Sequence, residues 1–531
     1  MTRYVVTASP PNPNGDMHLG HLSGPFLGAD VQARFLKNEG HDVTHVTYID
    51  EHSCYVTRRA RELGADAHET AHLLGSRIEQ TLALANMAPD FCGRPHRDVW
   101  HDEIVRHYFS RLWDEGKLEE IETGVYYCPV DEAYLYEAEV RGKCHYCQAP
   151  ADGFYCEECG RPQESGSLLE PVCTRCGTAP ERRTQRRISF PLQAYRDQLV
   201  EYYAELPMRP RLRAFLDMMF TEGLPDTPIS RAGDYGVAVP LAEWSGHYLD
   251  TWFCGIWGYV AATAGAHRVA NRGAGQQAWA APDTEVHEFL GFDCSFSHAI
   301  LWPALCLALG DVPLPTRVNT NEFYKLEGGK FSTSRGYAIW GGEFLNQVPA
   351  DSLRFYLCLT GPETEQTNFA RADFDECIGQ TLVDGLEVLV RSFDDSATGA
   401  GAADGDDKLT AMTAQLQAQV AEHLSPRAFS PAAAAAAIGQ FCTSQQANVI
   451  DAVTAASGPA RRQALAGLAR TVEPIMPGWA GDVLGALSTD RSRLQLLTLA
   501  PGAKGGTVTV DGSQVAIRTL SLAGPAEGAG L

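Results

Sequence analysis

Residues 4–8, Tyr-Val-Val-Thr-Ala, then a turn from Pro10 to Gly15, then His18-Leu19-Gly20-His21: this stretch decides the fold. The first five residues are a short apolar run of strand formers. The proline- and glycine-containing turn ends it. A helical pattern then runs from about His18 to Lys37. A second strand covers about Val43 to Tyr48 and leads into Ile49-Asp50-Glu51-His52. Strand, helix, strand at this spacing is a βαβ unit, and such units build right-handed parallel sheets.

Working outward, residues 67–117 read as helix. From about 118 to 185 cysteines, glycines and short segments replace the periodic helices, which marks a small inserted module. A mixed region follows to about 325, with Trp252–Tyr259 and a helix from Ser297. Residues 349–359 read as another helix, Gly399 to Asp407 as a linker, and about 408–490 as Ala-rich helices. Thr507 to Gly512 carries a hairpin signal with Asp-Gly at the turn.

The 531 residues predict several domains, and 44% hydrophobic with 21% charged residues is an ordinary soluble globular composition. A net charge of −23 argues against non-specific DNA coating, which needs a broad basic surface. It leaves room for a local RNA or nucleotide contact. No apolar run is long enough to span a membrane. The N-terminus enters a strand directly and shows no signal peptide. The chain is therefore expected in the cytoplasm, bound neither to membrane nor to DNA.

Two short motifs carry the chemistry. His18-Leu19-Gly20-His21 sits where a strand and turn give way to a helix, whose first N–H groups attract anions. Two histidines there can hydrogen-bond polyphosphate, and Gly20 admits a nucleotide to the backbone. Lys330-Phe331-Ser332-Thr333-Ser334-Arg335 lies among Gly328, Gly329 and Gly336. A loop with Lys, hydroxyls and Arg suits charge stabilisation in phosphoryl or nucleotidyl transfer. Each alone is weak, and the pair together is specific. Cys144-x-x-Cys147 and Cys156-x-x-Cys159 form a third motif, and four thiolates at this spacing suit tetrahedral zinc.

The two phosphate motifs resemble the H-x-G-H and K-x-S-x-S signatures of class I aminoacyl-tRNA synthetases. Over about residues 3 to 375 the chain resembles the archaeal/eukaryotic type of methionyl-tRNA synthetase. The resemblance includes Pro13-Asn14-Gly15, Asp50-Glu51-His52, the cysteine module, Phe289-Leu290-Gly291, His298 to Pro303, and Lys330 to Trp340. It implies an α/β, Rossmann-type (HUP) parallel-sheet catalytic domain with an inserted zinc-knuckle module and a C-terminal α-helical domain. The implied division is 1–117 and 186–325 for the two catalytic halves and 118–185 for the insertion. Residues 326–385 then hold the Lys330 loop and a linking segment, 386–490 an anticodon-domain-like bundle, and 491–531 a tail.

The implied activity condenses ATP, with Mg2+, and an amino acid to an aminoacyl-adenylate. By resemblance His18 and His21 hold the phosphates, Lys330 stabilises the developing charge, and Gly20, Ser332, Thr333 and Ser334 join it at ATP. Gly291 and Asp293 are expected at the adenosine. Asp50 is expected to bind the substrate ammonium, with a helix cap as its plainer role. Pro10, Asn12, Trp252, Gly255, Ile256, Tyr259, Cys294, His298 and Trp302 are expected to line the amino-acid pocket. The third cysteine pair, Cys173 and Cys176, needs partners. Cys128 and Asp131 have the same i, i+3 spacing, and the family's two-zinc variants carry a knuckle here. The alternatives are a second structural zinc or a degenerate knuckle.

The pocket and the anticodon reader depart from the family pattern. The family's Leu-Pro-Tyr is Pro10-Pro11-Asn12 here, and its Ala-Pro after the pocket tryptophan is Gly255-Ile256. Its His-Phe-Ile-Gly-Lys-Asp reads Glu288-Phe289-Leu290-Gly291-Phe292-Asp293. Asn12, Cys254 and Cys294 make a wall more polar than a thioether wants, which points to a smaller or more polar substrate. The anticodon-reading Asn and Arg positions fall on Val388 and Ser392, and the only nearby tryptophan, Trp479, comes too late. The expectation is an amino-acid-adenylating enzyme with a non-methionine substrate and tRNA-independent transfer in specialised metabolism. One resembling class works with a separate cupin to form an N–N bond. The alternatives are a working methionine–tRNA ligase and a non-catalytic regulatory paralogue.

Overall fold

The structure is a computed structural model. It describes residues 2–163, 166–272, 279, 281, 283–330, 338–393 and 403–488, and backbone alone at 330, 403, 494–501, 506–510 and 513–520. The chain forms two compact units, neither a single run of sequence. The first comprises Met1–Asp16, Asp42–Glu79 and Pro89–Glu322; the second comprises Met17–His41, Gln80–Ala88 and Phe323–Leu531.

The first unit is built on five parallel strands. Their order is Arg317–Asn321, Thr284–Gly291, β1 (Arg3–Ala8), β2 (Asp42–Tyr48) and β3 (Phe91–Gly93). Residues 4–8 and 43–48 are buried almost without interruption, as expected for strands covered on both faces. The order reverses between β1 and Thr284–Gly291. In open parallel sheets ligands bind outside the carboxyl ends of the strands at such a reversal. Pro10 and Asn12 follow one of those ends and Asp293 follows the other.

The segment 67–117 is not helix throughout. Helices Ala67–Leu84 and Trp100–Asp114 flank β3, which pairs with Val46–Tyr48. A three-residue edge strand carries too short a pattern to be read locally, and its partner strand makes it. The helix Thr251–Val269 is buried around most of its circumference, with Trp257 stacked on Tyr108 at a centroid distance of 4.0 Å. The insertion leaves the sheet on two long antiparallel strands, Glu119–Cys128 and Glu181–Phe190, and carries the cysteines beyond them.

In the second unit the helical stretch that follows His18 is interrupted. One turn, Leu19–His21, passes into a wide turn over Leu22–Phe26 before the regular helix Leu27–Asn38. Gly24 leaves helical geometry (φ −98°, ψ −115°) directly before Pro25, whose ring and missing N–H disrupt the ladder. Arg354 is fully buried. It donates to the carbonyls of Ile475, Pro474 and Asn86, each at 2.8 Å, and pairs with Asp30 at 2.7 Å.

Part of the expected linker is helical. Ala403–Leu424 begins inside it, and Asp406 accepts the Ser457 N–H at 2.6 Å, so its acidic residues serve helix ends. Residues 399–402 lie outside the described residues. Helices Pro431–Cys442, Gln446–Ala455, Gly458–Val472 and Pro477–Ser488 follow. Gly506–Val510 and Ser513–Leu520 pair antiparallel with Val510 opposite Ser513, and the Asp511-Gly512 turn between them is outside the described residues. Among the described residues no helix is long and apolar enough to cross a membrane.

Candidate functional site

The first loop turns back onto the end of β2. The Asp50 N–H donates to the Pro11 carbonyl at 3.0 Å, which sets Asn12 near Asp50. The Asp50 carboxylate accepts from Thr251 Oγ1 at 3.0 and 3.2 Å. The helix beginning at Cys54 is capped by Ser53, and the Thr251 helix by Asp250, so capping is not the task of Asp50. Loss of solvent pushes Asp50 up to about 7, against the hydrogen bond from Thr251; nearby Asp250 pushes it further up. Arg231 opposes the rise, and an ammonium arriving at this carboxyl would complete its compensation.

Beyond Asp50 the expected pocket residues come together in a closed wall. Tyr259 stacks on Trp302 at 5.1 Å, and its hydroxyl lies 2.8 Å from His298 Nε2. His298 Nδ1 is 2.9 Å from Ser297 Oγ and 3.3 Å from the Cys294 carbonyl. Burial pulls His298 down to about 4, so it stands neutral at pH 7. Ile256 is buried, and Gly255 lies on the Thr251 helix one turn before Tyr259. Asn12 Oδ1 has no hydrogen-bond partner among the described residues. Asp293 folds back over Gly291, since a Cβ there would stand 2.4 Å from Asp293 Oδ1.

Several residues that the motif reading passed over also belong here. Trp252 Nε1 donates to Glu137 Oε1 at 2.7 Å, and the Cys54 thiol donates to Glu137 Oε2 at 3.1 Å. Glu137 comes from the insertion and holds a left-handed φ of 42°, costly for a non-glycine residue. Burial pushes it up to about 8, with Asp250 adding to the rise. Arg187 and Arg231 are both buried, and with Glu137, Cys54, Phe154 and Asp250 they line a small cleft. Tyr48 lies at the end of β2 against Gly255 and Gly258. None of these has a local signal, because their importance comes from partners some 40 to 200 positions away. Glu288, at the position where the family pattern has histidine, is 1% exposed, and neither of its oxygens has a hydrogen-bond partner among the described residues. Burial pushes it far above the usual carboxyl range, so it is a neutral acid.

The histidine motif lies in the second unit. His18 and His21 form a reciprocal cap: the His21 N–H donates to His18 Nδ1 at 3.2 Å, and the His18 N–H to His21 Nδ1 at 3.3 Å. Their rings stack at 3.7 Å. Burial, with the neighbouring His21, drives His18 down to about 2, so it stands neutral at pH 7. The chain beyond the second motif is brought alongside. The Leu19 N–H donates to the Ile339 carbonyl at 3.1 Å, the Gly341 N–H donates to the Met17 carbonyl at 2.7 Å, and His18 bridges to Trp340. Gly20 lies between the two histidines. Lys330 begins this loop from a strand paired with Lys325. Ser332, Thr333 and Ser334 lie outside the described residues.

Both cysteine groups converge. Cys144 and Cys159 Sγ are 3.8 Å apart, and Cys147 and Cys156 Sγ 3.5 Å. Sulfurs around a tetrahedral zinc at about 2.3 Å stand about 3.8 Å apart. Amide groups already point at the sulfurs: the Tyr146 N–H donates to Cys144 Sγ at 3.4 Å and Gln163 Nε2 at 3.3 Å. In the other group Cys128 Sγ lies 3.0 Å from Asp131 Oδ2 and 3.4 Å from Cys176 Sγ, and Cys173 Sγ is 3.2 Å from Asp131 Oδ2. All four ligand atoms of each group lie within 4.8 Å of one another, so each can hold a metal ion. The pairing of Cys128 and Asp131 with Cys173 and Cys176 thus has the geometry of a Cys3Asp site.

The tRNA synthetases class I (M) family matches residues 4–392. The chain belongs to that family. It is 34% identical to the methionine–tRNA ligase of Methanopyrus kandleri over 391 residues, 73% of this chain and 58% of that protein. It is also 34% identical to that of Pyrococcus abyssi over 401 residues, covering 73% and 55%. The chain thus spans less than two thirds of the length of these relatives. A crystal structure of Mycobacterium tuberculosis methionyl-tRNA synthetase bound by methionyl-adenylate has the same fold, with a TM-score of 0.72 over 92% of this chain and 94% of that one. At 21% identity that likeness speaks for the fold alone. The parallel-sheet catalytic domain and the helical C-terminal part are features of this fold.

Proposed function

We propose that this protein activates an amino acid other than methionine with ATP, forming an aminoacyl-adenylate and pyrophosphate. The observation that carries the activation is the half-buried Asp50 carboxyl on Thr251, within a synthetase fold that retains His18, His21 and Lys330. The Asp50 carboxylate holds the substrate ammonium. The substrate carboxylate attacks the α-phosphate in line, with His18 and His21 on the phosphates. Lys330, Ser332, Thr333 and Ser334 carry the charge that develops, and Gly291 and Asp293 hold the adenosine. Mg2+ would neutralise the polyphosphate. The cysteine knuckles would hold structural zinc, since protein ligands fill all positions.

The polar wall supports a substrate other than methionine. Asn12, with its unpartnered Oδ1, and Cys254 and Cys294 make the wall more polar than a thioether wants, and the pocket rings are already closed on one another. The C-terminal helices support an acceptor other than an anticodon-read tRNA. Val388 is an exposed aliphatic, and Ser392 returns its hydroxyl to Leu389 O at 2.6 Å. Trp479 is 2% exposed, its N–H held by Asp351 at 2.5 Å, so it serves packing. The acceptor is then a small-molecule nucleophile or a carrier. A separate cupin partner in N–N bond formation rests on the family resemblance alone.

A second reading, a methionine–tRNA ligase, is favoured by the 34% identity to such enzymes. Pyrophosphate exchange over all standard and several hydroxylated amino acids, with and without tRNA, separates the two. Methionine-dependent exchange with charging of methionine tRNA would establish the second reading. Exchange with no amino acid would leave a non-catalytic regulatory module. Lys330→Ala is expected to lower kcat for exchange by about 100-fold or more, with the amino-acid KM little changed, because the lost charge acts in the transition state. An unchanged kcat would remove Lys330 from the mechanism.

A further inference from the structure

Tyr48 ends β2 and lies against the Thr251–Val269 helix in a slot made by missing side chains. A Cβ on Gly255 would stand 2.7 Å from the Tyr48 hydroxyl, and one on Gly258 would stand 2.7 Å from its ring carbons. A Cβ on Gly93, in the neighbouring strand, would meet the Tyr48 Cβ at 2.9 Å. A side chain at Gly255 or Gly258 would expel the phenol, and one at Gly93 would push on the base of the tyrosine. The three glycines are thus required by close approach, and what they accommodate is one tyrosine.

The tip of that tyrosine lies among the proposed pocket residues. Its hydroxyl is at Gly255, its ring meets Tyr259 edge-on at 5.5 Å, and Asp50, Cys254 and Cys294 are its charged or ionisable neighbours. The far side is shut by the Tyr259–Trp302 stack and the Tyr259–His298 hydrogen bond. Tyr48 is 2% exposed, and its hydroxyl has no hydrogen-bond partner among the described residues. Buried phenol hydroxyls ordinarily have one.

We infer that Tyr48 is a specificity-determining residue that shortens the amino-acid pocket, so that the substrate is a small α-amino acid of the glycine, alanine or serine class. This inference rests on the proposed activation by the Asp50 pocket. With its ammonium at Asp50, a substrate extends its side chain toward the space the phenol fills. A chain of thioether length has to displace a ring packed on the Gly255–Gly258 stretch of the helix and edge-on to Tyr259. A short one leaves the ring in place and brings its own polar atoms near the unpartnered hydroxyl.

The test is amino-acid-dependent pyrophosphate exchange with the full chain along glycine, alanine, serine, 2-aminobutyrate, norvaline and methionine. The wild type is expected to lose kcat/KM about 10-fold or more at 2-aminobutyrate and about 100-fold or more at methionine, as pocket discrimination by single methylenes allows. Tyr48→Ala is expected to raise the methionine-to-alanine ratio at least about 10-fold. Tyr48→Leu, which keeps an apolar side chain in the slot, is expected to raise it in the same direction and covers the case in which the alanine variant fails to fold. Wild-type use of methionine equal to alanine would overturn the inference, and so would an unchanged ratio in folded variants. Both outcomes leave activation itself standing. Exchange with no amino acid at all would instead remove the activation reading, and this inference with it.

Discussion

Asp50→Asn is expected to abolish amino-acid-dependent pyrophosphate exchange and, at the same time, to make the protein more stable at pH 8. Both effects follow from one cause. The Asp50 carboxyl titrates near 7 in the folded protein because it has lost solvent, whereas an unfolded chain ionises it near the ordinary 3.8. Between those values the folded state holds a proton that the unfolded state has released. Stability therefore falls as pH rises from about 4 to about 7 and is flat on either side. Glu137, pushed up to about 8, acts in the same direction. Asparagine removes the cost of ionising this position, so the variant should be more stable at pH 8 by about 1–3 kcal/mol, with the gain absent at pH 4. It also removes the charge that receives the ammonium, and kcat/KM for the amino acid should fall by about 100-fold or more. In the wild type, kcat/KM should rise with pH through about 7 as Asp50 ionises. Denaturant melts of both proteins at pH 4, 6 and 8, with exchange kinetics at pH 6–8, measure all of this. A variant that is destabilised at pH 8 while keeping its exchange activity would refute the assignment of Asp50.

Loss of zinc is expected to have the second large effect. The purified protein should carry two equivalents, and Cys144→Ser and Cys173→Ser should each remove one. Structural zinc is bound strongly enough that its sites fold only with metal, so each variant should destabilise the insertion. The Cys144→Ser change should also reach the pocket. Trp252 is held by Glu137 at 2.7 Å and packs on Phe154 and Tyr155, all three from the insertion that this knuckle closes. A rise of about 10-fold or more in the amino-acid KM is expected, with ATP binding less affected. Metal analysis paired with steady-state kinetics measures both. Asp131→Ala separates the Cys3Asp site from a degenerate knuckle. A protein carrying one equivalent, unchanged by Cys173→Ser or Asp131→Ala, would show the second group empty.

Much of this protein is legible in sequence for a simple reason. The residues that signal the βαβ unit, the histidine motif and the Cys-x-x-Cys pairs are neighbours along the chain, and neighbours report their own geometry. Position 8 must end a strand because a proline-rich turn follows. Cys144 and Cys147 can share one ion because their i, i+3 spacing turns both thiols to the same side. Those features determined the sheet, the family and the grouping of Cys144, Cys147, Cys156 and Cys159. Other features needed partners from elsewhere. β3 is a strand only because Val46–Tyr48 offers it hydrogen bonds. Residues 403–407 are helix because Asp406 finds Ser457. Glu137 matters because Trp252 and Cys54 reach it, and Tyr48 because three glycines leave it room. Sequence specified what each local segment can do, from backbone preference and ligand spacing. Only the tertiary structure decided which buried groups face the pocket, because burial and pairing are properties of surroundings that no single segment contains.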